Sequence, residues 1–151
     1  MEKKNGKGKK EKLLNVCYCV RIATENIIGK KIMKAISVRQ PFAALIVAGI
    51  KDIENRSWPT KYRGQLLIHA SKKVDKNGFK MMKELGIPET IVRNMINYSG
   101  GIIGEAEIVD CVKESKSEWF EGPYGFVIKN ARPLWFKPCK GKLGIFDVDN
   151  L

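Results

Sequence analysis

The stretch AGIKDIENRSW, residues 48–58, places four charged side chains directly after an apolar run. Lys51, Asp52, Glu54 and Arg56 fall within six positions. Period-two alternation along a strand puts Glu54 and Arg56 on one face, where they can pair, with Lys51 in the preceding turn. The pattern predicts a charged cluster at the mouth of a cleft. Its alternative is an ordinary surface salt bridge.

Helix signals lie on both sides of this stretch. The apolar residues 42–48 predict a buried helix, because Pro41 suits a first turn and Gly49 suits a helix end. Asp75 is the expected N-cap of a helix that runs to about Leu85. A third helix is predicted after Pro88, and its expected core stripe is Ile91, Val92, Met95 and Ile96.

Strand signals separate these helices and follow them. In GQLLIHAS, alternation puts Leu67, His69 and Ser71 on one face and Leu66, Ile68 and Ala70 on the other. Strands without regular βαβ units favour an α+β fold, namely a small mixed, mostly antiparallel β-barrel with two or three flanking helices. An open α+β sheet fits the same spacing. The remaining strand signals are residues 34–38, 100–112, 124–130 and 143–148.

The charge is distributed unevenly along the chain. The formal net charge is +12. Residues 1–34 contain ten Lys or Arg but only three Glu, so much of this charge lies at the start of the chain. This composition predicts a partly disordered basic extension over residues 1–32 and one domain over residues 33–151. The basic balance favours a polyanionic partner such as nucleic acid. No apolar run suits a membrane span and no secretory signal is evident, so a soluble cytoplasmic protein without a membrane partner is expected. We also expect a monomer.

Cysteine spacing and the known nucleotide motifs exclude several classes of site. Cys17, Cys19, Cys111 and Cys139 lack the spacing of a zinc tetrad. The sequence also has no P-loop, no dinucleotide-binding glycine run and no His-Glu-x-x-His helix. We therefore expect neither a metal nor another cofactor.

Several further side chains are candidates for binding or catalysis. Trp58, Tyr62 and Arg63 interleave aromatic rings with a base, which suits base stacking and phosphate contact, or else barrel-end core. His69 is the single histidine and is read as a hydrogen-bonding core residue or a ligand contact. Glu105 and Glu107 share a strand face and could act in acid–base catalysis, or be merely exposed. Tyr124 follows a Gly-Pro turn and could stack on a base.

The order Gly49-x-Lys51-x-x-Glu54-x-Arg56 resembles the G-x-K-x-x-E-x-R signature of the ASCH (activating signal cointegrator homology) family. The flanks ISVRQPFAALI, YRGQLLIHAS, GPYGFVIKN and KGKLGIFDV agree with it. The resemblance implies a PUA-like barrel that binds RNA or modified nucleosides or nucleotides. On this reading the ligand-binding residues are Lys51, Glu54, Arg56, Trp58, Tyr62, Arg63, His69 and Tyr124.

The same resemblance leaves a hydrolase as the alternative function. Some family members are viewed as ribonucleases, and one branch resembles an amidohydrolase acting on N4-acetylcytidine. That branch uses a lysine, a threonine three residues on and a later carboxylate. Lys51 matches the lysine, Glu54 stands at the threonine position, and Glu105 or Glu107 could supply the late carboxylate. If the chain is an enzyme, Lys51, Glu54 and Glu105 would be catalytic.

The basic extension generates a prediction about salt. Its cations come without an apolar face, so they should add affinity for any polyanion without sequence preference. Deletion of residues 1–32 should flatten the salt dependence of RNA binding and leave the domain folded. RNA titrations at several salt concentrations, with circular dichroism as the folding control, measure both. Unfolding on deletion would show that the boundary is wrong.

Overall fold

The computed structural model describes residues 31–149, so nearly all of the predicted basic extension lies outside the described residues. The described chain forms strands, short helices and one 3₁₀ turn (Glu89–Ile91). The strands are β1 (Ile32–Gln40), β2 (Ile53–Arg56), β3 (Gly64–Val74), β4 (Gly101–Val112), β5 (Tyr124–Pro138) and β6 (Ile145–Asp149). The helices are α1 (Phe42–Val47), α2 (Lys76–Glu84) and α3 (Arg93–Ile96).

The strands form one six-stranded sheet in the order β2-β5-β4-β3-β1-β6. The β2–β5, β5–β4 and β4–β3 pairs are antiparallel, whereas β3 and β1 run parallel. The sheet curls into a half-barrel, so that the Arg56 side chain on β2 reaches the Ser37 carbonyl on β1, four strands away in the sheet order. The predicted α+β fold with a mixed, mostly antiparallel, barrel-like sheet is confirmed.

Helix α1 occupies the concave side of this sheet. Its residues Ala43 to Val47 are at most 1% exposed, because the segment is apolar all round and has no solvent face to present. One flank packs on sheet residues such as Ile68 and Phe126, and the other on Met82 of α2 and Val92. The helix ends as predicted, with Gly49 at a φ of +75°. The turn at this helix end leads to Lys51, two residues after Gly49.

The convex side of the sheet is also covered over part of its area. Ala35, Leu67 and Ile102 pack with Phe146 of β6, on the opposite side from the α1 cluster. The predicted alternation along β3 is therefore confirmed, but both of its faces are buried from Leu66 to Ala70. Alternation along β3 consequently separates two apolar clusters rather than core from solvent.

Two elements differ from the sequence-based expectation. The third predicted helix is broken into the 3₁₀ turn and the four residues of α3, and Ile91, expected in its core stripe, is 48% exposed. Strand β5 extends to Pro138, well past the predicted end at residue 130. Its pairing with β4 shifts register in three places, which accommodates Pro133 and the fully exposed Trp135. No helix within residues 31–149 is long and apolar enough to span a membrane.

Two aromatic residues of β5 provide a test of the core. Phe126 is fully buried and meets Trp58 edge to face at 5.1 Å between ring centroids, whereas Trp135 is 97% exposed. Phe126→Ala should lower the free energy of unfolding by about 3–5 kcal/mol, because it leaves a cavity. Trp135→Ala should change it by less than about 0.5 kcal/mol. Urea unfolding measures both, and similar losses would contradict the described burial.

Candidate ligand-binding cleft

A cleft of about 1250 Å³ opens beside α1. Its walls come from β1, β2, β3 and the loop of residues 139–144 that joins β5 to β6. Small-molecule pockets usually measure roughly 300–1,000 Å³, so this cleft has room for more than one drug-sized group. Seven Lys or Arg side chains and three carboxylates line it. The cleft is therefore predominantly basic.

Three charged side chains of the predicted motif meet in the cleft. Lys51 Nζ lies 2.9 Å from Glu54 Oε2, and Arg56 Nη2 lies 3.0 Å from Glu54 Oε1. The ammonium group also donates to the Ile53 carbonyl oxygen and lies 5.3 Å from the centroid of the Phe42 ring. The predicted Glu54–Arg56 pair beside Lys51 is confirmed. Lys51 is only 3% exposed, so it lies in the floor of the cleft and not at its mouth.

Arg56 ties this floor to the opposite wall. Besides its pair with Glu54, its Nη2 donates to the Ser37 carbonyl oxygen at 2.7 Å. Its Nε is buried and has no hydrogen-bond acceptor among residues 31–149. The guanidinium is therefore held through one nitrogen, which joins β2 to β1 across the concave side of the sheet.

His69 lies on the same wall as Ser37. Its Nε2 is 3.0 Å from the Cys139 carbonyl oxygen, and its Nδ1 is 3.1 Å from Ser37 Oγ. Both ring nitrogens thus have protein partners, and the residue is 3% exposed. Ser71, predicted on the same strand face as His69, donates its hydroxyl to the Lys73 carbonyl oxygen.

The exposed cations of the cleft were missing from the sequence-based set. Lys72 and Lys73 extend from the end of β3, and Lys140 and Lys142 from the β5–β6 loop. All four side chains are exposed, and none makes a hydrogen bond or ion pair with residues 31–149. No sequence pattern singled them out as a group, because their convergence joins the end of β3 to the β5–β6 loop, whose nearest lysines, Lys73 and Lys140, are 67 residues apart.

The predicted aromatic contacts lie outside the cleft. Trp58 and Tyr62 pack against the α1 cluster, which agrees with their alternative reading as barrel-end core. Arg63 pairs with Asp110 on the surface at 3.1 Å, and Lys113 lies over the Tyr124 ring. The four predicted contacts Trp58, Tyr62, Arg63 and Tyr124 are therefore all absent from the lining of the cleft. Phe42 and Trp119 are the aromatic side chains that line it.

The strand-face carboxylates also lie outside the cleft. Glu105 is 6% exposed and is bound by Gln65 and by two nitrogens of Arg132. Glu107 accepts a hydrogen bond from Asn130 at 2.8 Å. Glu105 therefore does not join Lys51 and Glu54 in one site. Its ion pair accounts for its burial without a catalytic role.

A reactive thiol and a metal site find no support among the described residues. Burial raises the pKa of the Cys139 thiol, and a backbone hydrogen bond at Ile102 and the charge of Lys137 offset this only in part. A raised pKa keeps the sulfur protonated, hence weakly nucleophilic, at neutral pH. Across residues 31–149, no cluster of His, Cys, Asp and Glu side chains could hold a metal ion. Cys17 and Cys19 lie outside the described residues.

The ion-paired floor generates a stability prediction. Glu54→Ala leaves Lys51 buried without its carboxylate and should cost about 3–5 kcal/mol of unfolding free energy. Glu84→Ala is the matched control, since it removes an exposed helix pair with Lys80 and should cost below about 1 kcal/mol. Urea denaturation compares the two variants. Equal, small losses would mean that the triad does not stabilise the fold.

Comparisons with known proteins point to one domain family. The family model of the ASCH domain matches residues 36–137, from β1 nearly to the end of β5. The chain is 32% identical over 130 residues to activating signal cointegrator 1 of Homo sapiens, and 29% identical to that of Mus musculus. Each alignment covers 76% of this chain but only 22% of the relative.

Solved structures show a similar but more distant likeness. Two mutant crystal structures of ZmASCH from Zymomonas mobilis align with TM-scores of 0.43 and 0.42 at 20% identity. They cover 70% of this chain, and 74% and 72% of their own chains. Because the family model matches well over half of the sequence, the chain belongs to the ASCH domain family.

Proposed function

We propose that the chain binds single-stranded RNA or modified nucleotides in the basic cleft. The observation that carries this proposal is the set of four exposed lysines around it, which have no carboxylate partner among residues 31–149. Phosphate groups would supply the missing negative charge, and neutralising them releases counterions from the nucleic acid. Membership of a family associated with RNA binding supports the same class of ligand.

The division of charge within the cleft supports a binding role for the walls rather than the floor. Lys51 and Arg56 already share the carboxylate of Glu54, and Lys51 is almost fully buried. Lys72 and Lys73 make no ion pair within residues 31–149, so a phosphate would contact them without displacing a carboxylate of this part of the chain. On this proposal the motif residues form the floor of the cleft. The backbone of the ligand is bound by the four exposed wall lysines, Lys72, Lys73, Lys140 and Lys142.

The apolar lining suits the bases of such a ligand. Phe42 and Met81 are half-buried cleft residues, and Leu143 on the β5–β6 loop is 99% exposed. Planar bases gain from contact with apolar and aromatic surface irrespective of sequence. The cleft therefore offers both kinds of surface that a single strand requires, charged walls and an apolar patch.

The surroundings of Lys51 favour binding over the hydrolase alternative. Lys51 Nζ donates to the Glu54 carboxylate and to the Ile53 carbonyl oxygen, and the residue is only 3% exposed, so little of it is presented to a substrate. Glu105, the candidate late carboxylate, is held by Arg132 outside the cleft. Among residues 31–149, the carboxylate that contacts Lys51 is that of Glu54, and Arg56 also binds it.

Charge reversal of the β3 lysines tests the proposal. Lys72→Glu/Lys73→Glu should weaken binding of a short single-stranded RNA by about tenfold or more, because two phosphate contacts become repulsive. Lys61→Glu/Lys129→Glu has the same net charge, but its exposed lysines lie outside the cleft. This control should change affinity by less than about threefold. Fluorescence anisotropy at physiological ionic strength measures both.

Two results would contradict the binding proposal. Equal losses in the cleft variant and its control would mean that RNA responds only to net charge. Release of acetate from N4-acetylcytidine by the parent protein, abolished by Lys51→Ala in a variant that remains folded and retains nucleoside affinity, would favour the amidohydrolase.

A further inference from the structure

We propose that His69 is a positioning residue, which holds the β5–β6 loop (residues 139–144) so that Lys140 and Lys142 face the cleft. The inference rests on the proposed function for its effect on RNA, and on hydrogen bonds and packing for the anchoring itself. It assigns the single histidine to neither catalysis nor direct contact with the ligand.

The hydrogen bonds of the ring fix its role. A carbonyl oxygen can only accept, so the 3.0 Å contact with Cys139 requires a proton on His69 Nε2. In the neutral ring, Nδ1 then accepts the Ser37 hydroxyl proton at 3.1 Å. The side chain is 3% exposed and has no third polar atom. Its polar contacts therefore run from β1 through the ring to the first residue of the loop.

Packing at Gly141 provides an independent observation. A Cβ atom added at this glycine would lie 2.6 Å from His69 Cε1 and 2.6 Å from Ser37 Oγ, closer than real Cβ atoms approach. The loop backbone thus rests directly on the imidazole ring, between the two lysines. Only a residue without a side chain permits this approach.

Cys139, the first residue of the loop, has other attachments within residues 31–149. Its amide donates to the Gly100 carbonyl oxygen at 3.1 Å, and its side chain packs on the Ala35–Leu67–Ile102 cluster with a backbone hydrogen bond at Ile102. Lys140 and Lys142 make no hydrogen bond or ion pair within residues 31–149, and Leu143 is almost fully exposed. The His69 ring is therefore the main support beneath the part of the loop that carries the charges.

Two polar substitutions at His69 distinguish loss of the hydrogen bond to the Cys139 carbonyl oxygen from loss of the imidazole ring itself. The amide nitrogen of glutamine can take the place of Nε2 and still donate to the Cys139 carbonyl oxygen. The shorter asparagine reaches only the place of Nδ1. His69→Asn should therefore weaken binding of a short single-stranded RNA by about five- to tenfold. His69→Gln should restore most of that affinity.

A double-mutant cycle tests whether His69 acts through the loop lysines. Lys140→Ala/Lys142→Ala should reduce the slope of log affinity against log salt by about 1.4, for two contacts to a single strand. In this background His69→Asn should have no further effect on affinity, since the charges that it positions are gone. An undiminished loss in the double-lysine background would overturn the inference.

Limited proteolysis tests the anchor without RNA. Trypsin should cut after Lys140 and Lys142 faster in His69→Asn and in Gly141→Ala than in the parent or His69→Gln, with peptides identified by mass spectrometry. Cleavage after Lys129, within β5, reports global unfolding and should stay unchanged. Parent-like cleavage of the loop in His69→Asn would overturn the inference.

Absence of RNA binding by the parent would instead refute the proposed function, while loop cleavage would still decide whether His69 anchors the loop.

Discussion

The carboxylate of Glu54 is the contact on which the cleft depends. It lies between Lys51 and Arg56, in a place where an unpaired charge would be costly. With the carboxylate present, the chain can leave the buried helix α1, bury the Lys51 side chain in the following turn and continue as β2. Arg56 then reaches Ser37 on β1 and joins two strands that the sheet order keeps apart. The concave side of the half-barrel is held at this point.

This arrangement divides the cations of the cleft into two groups with different roles. Those of the floor are buried, paired and used by the fold, whereas Lys72, Lys73, Lys140 and Lys142 are exposed and unpaired within residues 31–149. A ligand that contacts the second group does not have to displace a protein carboxylate. On the proposed function, the motif residues set the shape of the site, while the exposed lysines contact the ligand.

Close approaches of the backbone complete the site. Gly104 on β4 has no room for a Cβ beside Val47 of α1, and Gly141 has none beside His69. The first contact lets the buried helix lie against the sheet, and the second lets a basic loop lie against the cleft wall. Both are packing requirements that link segments far apart in the chain, and neither glycine belongs to the motif.

Local chemistry was sufficient to predict several elements from the sequence. Pro41 and Gly49 bound α1, Asp75 caps α2 through the Asn77 amide, and period-two alternation pairs Glu54 with Arg56. These features act over a few residues, so their sequence signal is direct. The prediction of the third helix was wrong, because an apolar stripe in the sequence does not ensure that its side chains are buried, as the exposed Ile91 shows.

The sequence by itself determined the class of fold, the motif and the basic character of the chain. Only the tertiary structure decided which charges are free. Glu105 is a candidate on its strand pattern, but Arg132 from β5 binds it, and no local pattern brings Lys72 and Lys73 together with Lys140 and Lys142. Their surroundings arise from the parallel pairing of β1 with β3 and from the curl of the sheet. Such contacts depend on residues distant in the chain, which no local periodicity encodes.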